Sequence, residues 1–292
     1  MLPFFLDLLI GGFTLGAIYA LISAGLNMQF GVTSILNVAH GEFLMLGAYV
    51  TYFLFVSFGV DPLISLVITG PLFFFLGTIV ERVVLRRLFI RISTEEAVAL
   101  SLLACFGLQF IFQNVGLILF GATEKGYLYA TQMLDIGGAN FPLNRIIVCV
   151  VSLIINLAIY VFLRFTQAGR AIRATAKEPI GAQLVGIRVF KVRMYAFGLG
   201  AMLSAWTGTL ISMLYALTPF IGGSYTIIAL TVIVLGGLGN FIGSIIGGII
   251  LGYVSYVTMR VAASSLVIVL FYAIFILILL VMPTGLSRRR RS

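Results

Sequence analysis

Charge is what this chain has least of: Asp, Glu, Lys and Arg make up 9% of its 292 residues, while 61% are hydrophobic and the mean hydropathy is +1.18. That ratio excludes a water-soluble domain, because no single core could hide so much apolar surface, and the solvent for most of it must be lipid. A bilayer core of about 30 Å takes roughly 20 apolar residues per helical crossing, and several such runs follow one another with no polar domain between them. Strands that alternate polar and apolar residues are missing too. Runs such as Leu266 to Met282 are apolar on every side, which excludes a barrel. Cysteine is scarce: Cys105 and Cys149 fall inside apolar runs without metal-ligand spacing, so they are expected to pack as small residues rather than form a disulfide. No GxxxxGK[ST] loop occurs, so the chain carries no phosphate cradle of its own, and without HExxH or GxSxG an intramembrane hydrolase is disfavoured. Met1 to Leu9 contains Asp7 but neither Lys nor Arg, so the basic region of a cleavable signal is lacking and a retained first helix is expected.

What is present is organised. Apolar runs fall at about 4–26, 41–58, 62–82, 94–120, 142–163, 194–216, 225–259 and 263–282. There are 32 glycines, against a usual share of about 7%, which suits close packing of helices in lipid. The basic residues set orientation: Arg82, Arg86, Arg87 and Arg91 form one cluster, a second lies between Arg164 and Arg193, and Arg288 to Arg291 close the chain. Placing these in the cytoplasm leaves Lys125, Arg145 and Arg260 on the far side, provided the seventh run crosses twice. The C-terminus is then cytoplasmic and the N-terminus periplasmic. The net charge of +9 is accounted for by topology, and nucleic-acid binding is excluded as its cause. The expected fold is an all-α integral membrane protein, a polytopic bundle of eight or nine transmembrane helices forming a single domain over 1–292.

Two breaks interrupt this pattern, near residues 31–41 and 236–243. Tyr225 to Leu238 would be only about 21 Å long as a helix, too short to cross comfortably. Glycine-interrupted short segments at membrane depth point to a transport pathway, so Gly236, Gly237, Gly239 and Asn240 are candidate pathway or gate residues. Beside the first break stand Asn37, His40 and Glu42. A buried ionisable group there is either a proton relay or a polar cap on broken backbone. Gln109, Gln113 and Asn114 are expected to act as interhelical hydrogen-bonding residues, and Glu81, Glu95 and Glu96 to pair with the basic cluster at 82–91.

The polar insertion at about 164–193 is too basic to insert and is expected to be a structured cytoplasmic loop. Glu178 before Pro179 marks a helix start and Gly186 a stop, giving a helix of barely two turns. Ile180, Leu184 and Ile187 would form its apolar stripe, suited either to a groove on a partner or to lipid headgroups.

Three segments, GVTSILNVAHGEFLMLGAY (Gly31 to Tyr49), GRAIRATAKEPIGAQLVGI (Gly169 to Ile187) and GGLGNFIGSIIGG (Gly236 to Gly248), resemble those of LivH-type permeases of the branched-chain amino acid ABC importers, in order, spacing and chain length. The resemblance implies a non-enzymatic permease subunit translocating branched-chain or hydrophobic amino acids across a bacterial inner membrane. It further implies that the 164–193 loop couples to ATPases through Glu178, Pro179, Ile180, Ala182, Leu184, Gly186 and Ile187. In that loop Glu178, Ala182 and Gly186 match the coupling motif of ABC importers, whereas Pro179 replaces its first alanine. The implied partners are a LivM-like second permease, two cytoplasmic ATPase subunits and a periplasmic substrate-binding protein. ATP and Mg would be used by those subunits, with no cofactor or metal bound here. Related permeases move urea, short amides or sugars, and an ion-coupled secondary transporter is the remaining alternative. An ATP-driven importer needs no proton pathway, which favours the cap reading of His40.

Overall fold

The computed structural model describes residues 2–86, 94–136, 139–261 and 264–281. The basic residues Arg87, Arg91 and Arg288 to Arg291 lie outside the described residues. The helices, in chain order, are α1 (Leu2–Thr33), α2 (His40–Phe58), α3 (Pro62–Val80), continued by a π-helical turn Glu81–Leu85, and α4 (Thr94–Phe120). A hairpin, β1 (Met133–Ile136) and β2 (Ala139–Pro142), leads into α5 (Leu143–Phe165), α6 (Gln167–Lys177) and α7 (Pro179–Leu184). Then come α8 (Val189–Ser212), α9 (Ile221–Gly236), α10 (Phe241–Val261) and α11 (Ser264–Val281).

Seven helices among the described residues are long and apolar enough to cross a bilayer: α1 to α5, α8 and α10. The shorter α9 and the uncharged, strongly apolar α11 bring the apolar helices among the described residues to nine, the upper end of the expected range. The seventh apolar run does divide, into α9 and α10. Among the described residues the one sheet in this α-helical fold is the antiparallel pair β1–β2, which occupies the polar interval between α4 and α5.

In lipid, apolar surface gives little drive for helices to associate, so contact depends on how closely backbones approach. The pairing of α1 with α10 shows this. A Cβ on Gly252 would lie 2.2 Å from Gly16 Cα, and one on Gly248 would lie 2.4 Å from Ala20 N, so glycine is what permits the crossing. Helix α8 is the most enclosed of the spans, packed between α1, α2 and α3. Side-chain donors join these elements: the Thr51 hydroxyl donates to Thr209 at 2.9 Å, and the Trp206 indole N–H donates to the Leu66 carbonyl at 2.7 Å.

The basic residues separate between two ends as the charge pattern requires. At one end Arg260 pairs with Asp7 at 2.7 Å, Arg145 donates to the Tyr256 hydroxyl at 3.0 Å, and Lys125 forms a backbone bridge with Leu217. Tyr129 donates there to Asp61, the cap of α3, at 3.0 Å. Burial first, then that carboxylate, pushes the Tyr129 phenol up to about 12, so it remains a neutral donor at physiological pH. At the other end Arg193 donates to the Thr33 carbonyl at 3.1 Å, Arg86 lies over the Phe190 ring, and Arg173 reaches the Arg164 carbonyl.

Several boundaries differ from the hydropathy pattern. α1 continues seven residues beyond the apolar run, to Thr33, because Asn27 and Gln29 are bonded inside the protein rather than solvated. α8 starts at Val189 rather than near 194, since the Arg193 guanidinium finds the α1 carbonyl terminus. Cys105 and Cys149 are free. Buried Glu81 faces Arg193 and Arg86, whereas the Glu95 side chain lies outside the described residues. Asn114 differs from expectation: it is exposed and donates to Phe110 of its own helix. The α4 backbone carbonyl satisfies an amide that had been expected to bridge helices.

Candidate functional site

The first break is a link between two helices rather than a gap within one. Ser34, with φ of 57°, turns the chain at the end of α1, and residues 35–39 run back beside that helix, largely buried. The return is fixed by side chains. Gln29 donates to the Phe197 carbonyl at 3.0 Å, and its Oε1 accepts from the Asn37 amide at 3.0 Å. His40 places Nδ1 3.2 Å from the same Oε1 and Nε2 3.0 Å from the Ile22 carbonyl. Ser204, on α8, donates to the His40 carbonyl at 2.7 Å. Ser204 is eight residues from the end of α8, so α2 begins about 12 Å inside that end rather than at a membrane surface.

The second break is a corner between α9 and α10. Gly237 and Gly239 have φ of 95° and 78°, which a residue with a Cβ rarely adopts. Asn240 accepts from Gly243 N at 3.2 Å and so caps α10. One residue of α1 ties the corner down: Asn27 donates to the Asn240 carbonyl at 2.7 Å and to the Ser244 hydroxyl, and its Oδ1 accepts from Gly239 N at 2.6 Å. Gly31 lies against Gly239.

The predicted pathway residues are therefore in two places. Asn37 and His40 are joined through Gln29, while Gly236, Gly237, Gly239 and Asn240 are gathered by Asn27. Gln29 and Asn27 are two positions apart on α1 and do not share a face. Glu42 belongs to neither network: it is buried and points at the first turn of α9. Asn27 and Gln29 were missed in the sequence, although two amides one turn before the first break were the available signal. Among the described residues no group of three or more His, Cys, Asp or Glu could hold a metal.

The 164–193 region contains more helix than expected. Thr166 caps α6 through Gly169 N at 3.0 Å, and α6 buries Ile172 and Thr175 while exposing Arg170 and Arg173. Glu178 is the N-cap residue of α7 and Pro179 its first position. Gly186, with φ of 85°, ends it, and Ile187 N returns to the Ala182 carbonyl at 3.0 Å. Ala182 packs inward. The exposed apolar face is Ile180, Leu184 and Val185, at 70%, 84% and 76% exposure. Ile187, expected in that stripe, is half-buried, because the turn at Gly186 breaks helical spacing before it is reached.

Residues 8–281 match the family model described as the permease component of branched-chain amino acid transport systems. The high-affinity branched-chain amino acid transport permease LivH of Salmonella typhimurium is 32% identical over 98% of this chain and 96% of its own length. The corresponding permease BraD of Pseudomonas aeruginosa is 29% identical over the same shares. Among solved structures, PsaBC from Streptococcus pneumoniae in complex with Fab aligns with a TM-score of 0.53 at 15% identity, covering 97% of both chains, which is a likeness of fold.

Proposed function

The chain belongs to the family of branched-chain amino acid transport permease components, and we propose that it works as one half of a paired membrane channel driven through α7. It is a multi-pass permease subunit of a bacterial ATP-binding cassette importer for branched-chain amino acids. The proposed assembly adds a LivM-like second permease, two cytoplasmic ATPase subunits that use ATP and Mg, and a periplasmic substrate-binding protein. This chain forms one domain over 1–292. The end holding Arg86, Arg164 and Arg193 faces the cytoplasm, as does the C-terminus, and the end holding Asp7, Arg145 and Arg260 faces the periplasm.

What supports the coupling role is α7 itself: a two-turn helix at the basic end, anchored by inward-facing Ala182 and presenting Ile180, Leu184 and Val185 outward. Such a face fits a groove on an ATPase. Leu184→Asp would place a charge in a desolvated contact. We expect co-purification of the ATPase subunits and substrate-stimulated ATP hydrolysis to fall at least 10-fold, with permease abundance in the membrane unchanged. Retained assembly and stimulation would falsify the docking role, and lost abundance would place the helix on lipid or within the permease. Deletion of the gene should abolish high-affinity uptake of leucine, isoleucine or valine.

A further inference from the structure

Glu42 is the only carboxylate among the described residues whose two oxygens are both buried and without a hydrogen-bond partner. It sits where two helices begin. α2 starts at His40 and α9 at Ile221, and their first turns touch: a Cβ on Gly41 would lie 1.9 Å from the Gly222 carbonyl oxygen. The Gly41 N–H donates to Thr226 Oγ1 at 2.9 Å, which locks the register of the two ends. Opposite this contact, a Cβ on Gly222 would lie 2.6 Å from Glu42 Cδ and 2.7 Å from each carboxylate oxygen. Neither helix has a side-chain cap. The junction is at the level of Ser204 to Gly208 on α8, since Ser204 holds the His40 carbonyl and Gly208 abuts Leu44.

The two N-terminal dipoles favour an ionised carboxylate between them. A carboxylate inside a span that accepts no hydrogen bond is nevertheless costly, and ionisable groups at membrane depth mark substrate or ion pathways. The surface opposite Glu42 is glycine backbone, so parting α2 from α9 here requires release of the Thr226 hydroxyl from Gly41 N–H and the Val38 carbonyl rather than withdrawal of a side chain from around the carboxylate. We propose that Glu42 receives the ammonium group of the amino acid in transit when the α2–α9 junction opens, leaving the first-turn N–H groups of α9 for its carboxylate. A zwitterion matches this arrangement in both of its charges. The proposal rests on the amino-acid substrate class argued above.

The test uses the assembled complex in proteoliposomes with its binding protein and ATP. Glu42→Gln keeps the shape and removes the charge. Leucine uptake per transporter should fall at least 10-fold, and Glu42→Asp should recover part of it. On the unaltered chain, dicyclohexylcarbodiimide should modify Glu42 during ATP turnover with empty binding protein, and leucine-loaded binding protein should slow that modification several-fold, read by mass spectrometry of the peptide. A residue with a purely packing role would show no such protection. Wild-type uptake by Glu42→Gln, or modification indifferent to leucine, overturns the proposal. If Glu42→Gln fails to accumulate, the carbodiimide measurement decides alone. No leucine uptake by the unaltered complex would remove the substrate class, and this proposal with it.

Discussion

Asn27→Leu replaces an amide by an apolar group of similar size at the residue that holds the α9–α10 corner. Two part-buried hydrogen bonds are lost: the one from Gly239 N–H, now 2.6 Å from Asn27 Oδ1, and the one to the Asn240 carbonyl, now 2.7 Å from the amide nitrogen, which keeps Ser244 N as its helical donor. A hydrogen bond contributes about 0.5–1.5 kcal/mol net, so the sum is about 1–3 kcal/mol. Little returns through the added apolar atoms, because a membrane interior solvates leucine as well as the protein does. Asn27→Asp isolates the donor half. It still accepts from Gly239 but presents an oxygen to the Asn240 carbonyl, so it should also destabilise. The assay is unfolding of the purified permease in mixed micelles with increasing sodium dodecyl sulfate, where both variants should unfold at lower detergent fraction. An Asn27→Leu protein within about 0.5 kcal/mol of the unaltered chain would refute the reasoning, since surface-like substitutions fall in that range.

Other outcomes follow from contacts of the same kind. Gly252→Ala should sharply reduce folded permease, because its Cβ would meet the Gly16 backbone at 2.2 Å, whereas Gly107→Ala, with nothing within 4 Å, should be silent in the same abundance measurement. His40→Gln can still bond polar neighbours but cannot carry a proton, so transport should survive it better than His40→Leu; equal loss in the two would favour a proton relay. Single cysteines at Lys125 and Ser292, in a background lacking Cys105 and Cys149, should label from opposite membrane faces, the former from the periplasm. Labelling of both from outside would overturn the assignment.

Hydropathy was a sufficient guide wherever a helix meets lipid. The runs at 41–58, 62–82, 94–120 and 142–163 lie within about two residues of the boundaries of α2, α3, α4 and α5. It failed where polar residues are satisfied by protein, as at the ends of α1 and α8, because local composition cannot tell a solvated Gln29 or Arg193 from one bonded to a distant carbonyl. The α7 start and stop were legible because Pro179 and Gly186 act through their own backbone. That α6 precedes it was not, since its helix is held by burial of Ile172 against tertiary neighbours amid a basic stretch. Glycine pairs marked the second break for the same local reason, yet its partner Asn27 lies 212 residues from Gly239, a separation no periodicity reports. The companion of Glu42, Gly222, was equally out of reach.

The crossing of α1 with α10 makes the two breaks mechanically unlike. With backbone against backbone at Gly16 and Gly252, and Asn27 anchoring the corner at Gly237–Asn240, these helices can only move as one piece. That corner is a weld. Segment 35–39 is tied to α1 chiefly through Gln29, and the end of α2 that it carries meets α9 over glycine. If the permease has a moving part and a fixed frame, the dividing line runs between α2 and α9, and a pair of spectroscopic labels on α1 and α10 should keep a constant distance through a turnover that shifts a pair on α2 and α9.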